Sequence, residues 1–368
     1  MNANLRLHEL GQSLWLDNIT RELLDSGTLR RYLQDFAVTG LTSNPTIFDQ
    51  ALRNTTVYDA AIRDKAAQGK AGEALFFELA LEDLRRAADL FRPIYASSAG
   101  MDGWVSLEVS PLLAHDAAGT IRAAAHLHAL AQRANLFIKI PGTQAGLGAI
   151  EESIFAGVPV NVTLLFSHEQ YLAAAAAYMR GIERRLGAGL DPRVGSVASI
   201  FISRWDVAVK DRVPAALSNR LGIAVARRAY RAYRELLDSP AWRKLAAAGA
   251  MQQRLLWAST GTKDPRAADT LYVEALAAPQ TINTMPEKTL QAFADHGVVS
   301  TSMAPDGGDA EPILSHFAQA GIDAAALASQ LQREGAESFS KSWNDLLAVI
   351  ASKSIALAPA GAKVQAPS

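Results

Sequence analysis

Short runs of β-branched, aromatic and aliphatic residues recur along this chain, and each is followed by a longer stretch with helical spacing. The runs are Ser13–Asn18, Gly40–Ser43, Gly103–Val109, Leu136–Ile140, Val158–Thr163, Gly195–Ile202, Leu255–Ser259 and Thr281–Asn283. Several are apolar at consecutive positions, as in Leu136-Phe137-Ile138 and Leu255-Leu256-Trp257-Ala258. A strand with one wet face alternates. A strand buried on both faces need not, and such strands belong to parallel sheets covered by helices. Alternation repeated eight times predicts an α/β fold, a (β/α)8 barrel, with a doubly wound open sheet as the second option.

The intervening segments carry helix signals. Ala117–Arg133 and Ser167–Leu186 read as single helices, and Ser167 with Gln170 fits a capping box. Pro286-Glu287 reads as a helix start with Pro at the first helical position. Residues 55–100 are long enough for two extra helices, one of them Ala71–Phe91, and residues 207–250 for two more. Helical spacing then runs from Asn283 to about Lys353, broken by a loop at Ala304-Pro-Asp-Gly-Gly308. The barrel is therefore expected to carry extra helices after strands 2 and 6 and at the C-terminus. No repeat and no linker composition divides the chain, which predicts one domain over residues 1–358. Residues 359–368, rich in small residues and Pro, are expected to fray.

Composition excludes whole classes of function. With 49% hydrophobic and 20% charged residues among 368, the chain can build a large core. The net charge of −1 and the absence of a long basic run argue against a nucleic-acid partner. With no cysteine there is no disulfide, thiol nucleophile or thiolate metal site. The histidines lack HxxxH or HxH spacing, so no zinc site is expected. The longest run of small apolar residues, Tyr171–Met179, is far short of the roughly 18 needed to span a membrane. The first ten residues lack a signal-peptide pattern. A cytoplasmic protein without membrane contact is the expectation, and the tripeptides at Asn18, Asn54 and Asn161 match the glycosylation pattern by chance.

In a barrel of this kind chemistry sits at the C-terminal ends of the strands. The polar residues there are Asp17, Asn18, Thr42, Ser43, Asn44, Glu108, Lys139, Asn161, Thr163, Ser199, Ser203, Arg204, Ser259 and Thr260. Lys139, in Leu136-Phe-Ile-Lys-Ile-Pro141, lies in a strand that should be dry on both faces. Burial favours the neutral, nucleophilic form of an amine, ready to form a Schiff base with a ketone. A structural ion pair with Glu108 accounts for it equally well. Asp17 suits a proton shuttle or a helix cap, and Glu108 an acid or the partner of Lys139. One amine and two acids at three strand ends are the equipment of a Schiff-base lyase. Arg204 with neighbouring hydroxyls suits a phosphate, or a surface pair with Asp206. Gly142-Thr-Gln-Ala-Gly146-Leu-Gly148 has neither P-loop nor dinucleotide spacing and reads as a turn and helix start.

These residues stand in stretches that resemble the transaldolases, class I aldolases built on a (β/α)8 barrel. The stretches are Leu16-Asp-Asn18, Thr39-Gly-Leu-Thr-Ser-Asn-Pro-Thr-Ile-Phe48, Val105-Ser-Leu-Glu-Val-Ser-Pro111, Phe137-Ile-Lys-Ile-Pro-Gly-Thr143, Asn161-Val-Thr-Leu-Leu-Phe-Ser167 and Ser199-Ile-Phe-Ile-Ser-Arg204. The likeness covers roughly Leu14–Val349. Trp257-Ala-Ser-Thr-Gly-Thr-Lys263 and Thr281-Ile-Asn-Thr-Met-Pro286 look like the actinobacterial and cyanobacterial branch.

The resemblance implies transfer of a dihydroxyacetone unit from sedoheptulose 7-phosphate to glyceraldehyde 3-phosphate, giving erythrose 4-phosphate and fructose 6-phosphate in the pentose phosphate pathway. It implies Lys139 as the Schiff-base residue, Asp17 as the proton shuttle, and Glu108 with Thr163 as holders of the water used in imine chemistry. It implies Asn44 and Asn161 as ligands of the dihydroxyacetone hydroxyls, and Ser199 and Arg204 as ligands of the phosphate with Phe201 beside them. Many members carry a second phosphate arginine after the seventh strand. Here Ala258-Ser-Thr-Gly-Thr-Lys263 has none, and Lys263 is the cationic substitute. No cofactor and no metal are implied. Phosphorylated sugars are the implied partners, with a homo-oligomer left open. Two other readings compete: an aldolase that releases free dihydroxyacetone, and a non-catalytic phosphosugar-binding barrel.

Overall fold

A computed structural model of the chain describes residues 2–358. The frayed tail expected at 359–368 lies outside them. Eight parallel strands close into a barrel in sequence order: β1 (Ser13–Asp17), β2 (Val38–Thr42), β3 (Trp104–Glu108), β4 (Leu136–Pro141), β5 (Val160–Leu165), β6 (Ser196–Phe201), β7 (Arg254–Ala258) and β8 (Ile282–Met285), with β8 pairing back onto β1. The open sheet is thereby set aside.

The continuous apolar runs have a simple cause. Leu14, Leu16, Val105, Leu107, Ile138, Ile140, Val160 and Val162 point outward and pack beneath the helices in one buried cluster. The residues between them, Trp15, Trp104, Phe137, Val197, Leu256 and Ile282, belong to a second cluster that fills the barrel. Trp104 and Phe137 stack with centroids 3.9 Å apart. Gly40 makes room for this layer, since a Cβ there would lie 2.7 Å from the Trp15 indole. Above these aromatics the inward positions turn polar, and that change positions the site.

Strand ends depart from expectation where backbone geometry decides them. β5 begins two residues later than expected and runs to Leu165, through a register shift after Val162 and a left-handed Leu164 at φ 58°. β7 ends at Ala258 because Ser259 is left-handed at φ 57°. β8 extends to Met285, two residues past expectation.

The extra helices are present. Asp59–Ala67 and Gly72–Ser97 follow β2 after helix Pro45–Asn54, the longer one running through Pro93 beyond the expected end at Phe91. Leu221–Asp238 and Pro240–Ala247 follow β6, and Glu287–His296, Ala310–Gln319 and Ala324–Ala356 close the chain. The break before Ala310 starts at Gly297, earlier than the expected loop. Ser167 caps its helix by accepting from the Gln170 N–H, but Gln170 Oε1 accepts from the Phe166 N–H at 2.7 Å, so the box is only half formed. Pro286 is the N-cap, one position before the expected one.

Candidate active site

At the C-terminal ends of the strands the polar inward residues surround a cavity of about 330 Å³. Asp17, Asn44, Lys139, Thr163, Ser199, Phe201, Arg204 and Lys263 line it. Glu108 and Asn161 lie behind this wall, both buried. Thr42, Thr284 and Phe339 line it too. The larger groove between helices Gly72–Ser97 and Ala117–Ala131 contains Lys65, already paired with Glu78 and Glu82.

Lys139 and Glu108 are register partners on β4 and β3, and alternation turns both side chains inward. Each is 5% exposed. Lys139 Nζ lies 3.0 Å from Glu108 Oε2 and donates to the Ser43 carbonyl at 2.9 Å. Ser43 is held in turn, its Oγ donating to the Ser106 carbonyl. The expected ion pair therefore exists, yet the amine also forms part of the cavity wall, and Glu108 Oε2 receives no hydrogen bond of good alignment. Burial pushes the Glu108 carboxyl above the usual carboxylate range, helped by Asp17 and opposed by Lys139 and Arg204.

Asp17, at the end of β1, is also pushed up by burial, against the opposing pull of Lys139, of its hydrogen bond with Thr42 and of Lys263. Thr42 Oγ1 donates to Asp17 Oδ1 at 2.7 Å and lies 2.7 Å from Thr284 Oγ1. With its hydrogen given to Asp17, Thr42 accepts from Thr284, so Asp17 is held by a two-hydroxyl relay. Two carboxyls that keep protons to higher pH than exposed ones now flank one amine, a set able to move protons at a carbonyl carbon.

Beside them, on β3, β5 and β6, runs a second set of polar contacts. Ser199 Oγ donates to Asn161 Oδ1 at 2.7 Å, and Asn161 Nδ2 donates to Ser106 Oγ at 3.1 Å. Thr163 Oγ1 is buried without a partner. A buried hydroxyl in that state costs about 1–3 kcal/mol unless something binds it. Asn44 caps helix Pro45–Asn54, its Oδ1 accepting from the Ile47 N–H at 3.1 Å, which leaves its amide donors toward the cavity.

Arg204 is the second residue of the short helix Ser203–Val209 after β6. It does not pair with Asp206, whose carboxylate accepts from the N–H groups of Leu221 and Gly222 and from the Tyr272 hydroxyl. The Arg204 guanidinium instead lies 5.2 Å from the Phe201 ring and 5.8 Å from the Phe339 ring. Burial pulls its pKa down, with Glu334 and Glu108 opposing. Lys263 is exposed at the rim. Phe339 was not foreseen, because nothing in an apolar helical pattern distinguishes a residue that reaches the barrel mouth from one in the core. Thr284 was missed because the eighth strand was expected to stop at Asn283. Among the described residues no group of three His, Cys, Asp or Glu side chains is arranged to hold a metal.

A closed (β/α)8 barrel with an amine in the wall of its mouth, near two raised carboxyls, carries the equipment that carbonyl chemistry through a lysine would need. Comparison with known proteins narrows the class. The family model described as transaldolase/fructose-6-phosphate aldolase matches residues 14–350. The chain is 46% identical over 354 residues to the protein named transaldolase of Parafrankia sp. (strain EAN1pec), covering 94% of this chain and 96% of that one. It is 45% identical over 351 residues to the transaldolase of Arthrobacter sp. (strain FB24), covering 93% and 95%. It is 38% identical over 378 residues to transaldolase 2 of Nostoc sp. (strain PCC 7120), covering 98% and 99%. This chain belongs to the transaldolase/fructose-6-phosphate aldolase family. It is an enzyme, a transferase of the transaldolase type.

Proposed function

We propose that the chain transfers a dihydroxyacetone unit from sedoheptulose 7-phosphate to glyceraldehyde 3-phosphate, releasing erythrose 4-phosphate and forming fructose 6-phosphate. Lys139 Nζ attacks the donor's ketone carbon, and loss of water leaves a protonated imine. Asp17 takes the proton of the C4 hydroxyl as the C3–C4 bond breaks. The bonding electrons pass into the imine, which becomes an enamine, and the aldehyde departs. The enamine carbon then attacks the acceptor aldehyde, Asp17 returns the proton to the new hydroxyl, and water releases Lys139.

Each remaining residue takes a part that its position supports. Glu108, 3.0 Å from the amine, and the unpartnered Thr163 hydroxyl hold the water that leaves and returns. Asn44 and Asn161 bind hydroxyls of the three-carbon unit. Arg204 binds the phosphate beside Phe201, with Ser199 turning its hydroxyl from Asn161 to assist and Lys263 adding charge at the rim. The closure of β1 onto β8 supports reading residues 1–358 as one domain. No described helix is long and apolar enough to cross a membrane. A cytoplasmic location is part of the proposal.

The observation that carries the reading is a 5%-exposed lysine in a cavity wall, with the buried carboxyl of Glu108 and the half-buried one of Asp17 beside it. Borohydride reduction in the presence of fructose 6-phosphate, followed by peptide mapping, tests it. A sugar adduct on Lys139 is expected, and an unmodified Lys139 overturns the assignment. A requirement for an acceptor aldehyde separates transfer from an aldolase that releases dihydroxyacetone.

A further inference from the structure

The C-terminal helix Ala324–Ala356 crosses the mouth of the barrel with Gln332, Gly335 and Phe339 on one face, at i, i+3 and i+7. Phe339 lies beside both Lys139 and Arg204. Gln332 Nε2 donates to the carbonyls of Gly142 and Leu164, each at 3.0 Å, tying together the chain just past β4 and the end of β5. Leu164 is the left-handed residue after Thr163, a conformation rare and strained for a bulky side chain. Gly335 is buried between them. A Cβ there would lie 2.9 Å from Leu164 Cδ2 and 3.3 Å from Arg204 Nη1. A glycine inside a helix is unfavourable relative to alanine, so this one calls for a local reason.

Leu164, the tighter contact, supplies part of that reason and Arg204 the rest. Its guanidinium makes no hydrogen bond or ion pair to any described residue. Two aromatic faces and the floor at Gly335 hold it, with Glu334 and Glu108 acting only through space. An arginine held that way keeps its whole fork of donors for an incoming dianion. We propose that Gly335 is a positioning residue for the phosphate-binding arginine: it clears the slot in which Arg204 lies, while Gln332 fixes Leu164 as the slot's other wall. This inference rests on Arg204 as the phosphate ligand of the transaldol reaction.

The test is a cycle of Gly335→Ala, Arg204→Ala and the double variant, each read by inhibition with inorganic phosphate and by steady-state kinetics. Gly335→Ala should raise the Ki of phosphate and the KM of fructose 6-phosphate about tenfold, with kcat within about twofold. Borohydride trapping of unphosphorylated dihydroxyacetone should be unchanged. In the Arg204→Ala background, Gly335→Ala should have no further effect on the phosphate Ki, because a residue acting through Arg204 has nothing left to position. Independent, additive effects overturn the proposal, as does equal loss with phosphorylated and unphosphorylated ligands, or no change at all. Should Gly335→Ala not fold, adding Leu164→Ala removes the tighter contact and keeps the one with Arg204, and the same readouts apply with Leu164→Ala alone as the reference. If wild-type trapping succeeds and Arg204→Ala raises the phosphate Ki while Gly335→Ala does not, the function stands and only this inference falls. If trapping on Lys139 itself fails, the reading beneath it falls first.

Discussion

The two ends of the barrel each bury a cation against a carboxylate, and they treat the pair in opposite ways. At the N-terminal end Arg254 lies 3.8 Å from Asp102 and donates to Ser13 Oγ and to the carbonyls of Met101 and Thr281. Asp102 accepts from Ser13 and from Trp15 Nε1. At the C-terminal end Lys139 has Glu108 and one carbonyl, Glu108 Oε2 lacks an aligned donor, and Thr163 has no partner. The charged pair of the floor has its bonds made, even though Gln12 Oε1 and Gln253 Oε1 beside it lack partners, whereas the pair beside the cavity keeps capacity that a ligand could use. A buried charge is thus no sign of chemistry by itself. The sign is a buried charge with bonding capacity left over and a space to use it.

The largest effect that could break this contrast is on turnover. Lys139→Met should lower kcat by roughly a thousandfold or more, since no other described amine enters the cavity wall from within the barrel. Folding should survive, because Glu108 is already disposed to take a proton and become neutral. Arg254→Met should do the reverse. It leaves Asp102 buried and unpaired and should cost about 3–5 kcal/mol of stability in chemical denaturation, while the folded fraction keeps near-normal kcat. Comparable destabilisation by the two changes would erase the distinction between floor and site.

How far this could be read from residues alone differs between the same two ends. Lys139, Glu108, Asp17 and Arg204 were legible because each is a charge set in an apolar run, where burial without purpose is penalised. Arg254 was not, because it opens its strand and looks like the last residue of a loop. The eight strands were legible because both faces are dry. Their ends were not, since a left-handed Leu164 or Ser259 depends on contacts made by distant segments. Gln332, Gly335 and Phe339 reach the site only through tertiary packing of a helix whose pattern suits any core.

A third buried acid sharpens the rule. Asp206 is pushed up to about 6 by burial, although three donors hold it at the start of helix Leu221–Asp238. A raised pKa alone would mark it as catalytic, whereas its complete bonding marks it as structural. Between pH 4 and 6 the folded chain holds a proton on Asp206 that the unfolded chain has released. Its contribution therefore favours folding at low pH and is lost as pH rises through about 6. Asp206→Asn should flatten the pH dependence of unfolding free energy across that window by about 3 kcal/mol at most. It should leave kcat nearly unchanged. A collapse of kcat in a folded variant would place Asp206 among the working residues.

The smallest expected effect separates two cations at the same mouth. Arg204 is half-buried, clasped by aromatic rings and without a competing anion in contact, so a phosphate bound there would meet its fork in a poorly screened setting. Lys263 lines the cavity too, but its side chain is exposed and offers a point charge on a flexible stem. Arg204→Ala should raise the KM for phosphorylated donors by a charge-assisted hydrogen bond's worth, about 1.5–3 kcal/mol or tenfold to a hundredfold. Lys263→Ala should cost no more than an exposed ion pair, about 0.2–1 kcal/mol or less than roughly fivefold. Salt distinguishes them further. At about 1 M ionic strength the screening length falls to about 3 Å, so the Lys263 effect should vanish while most of the Arg204 effect persists. Neither change should prevent imine formation with unphosphorylated dihydroxyacetone. If Lys263→Ala matches Arg204→Ala and resists salt, the lysine folds inward over bound substrate and stands in fully for the missing arginine. The exposed rim would then belong with the buried site rather than with the surface.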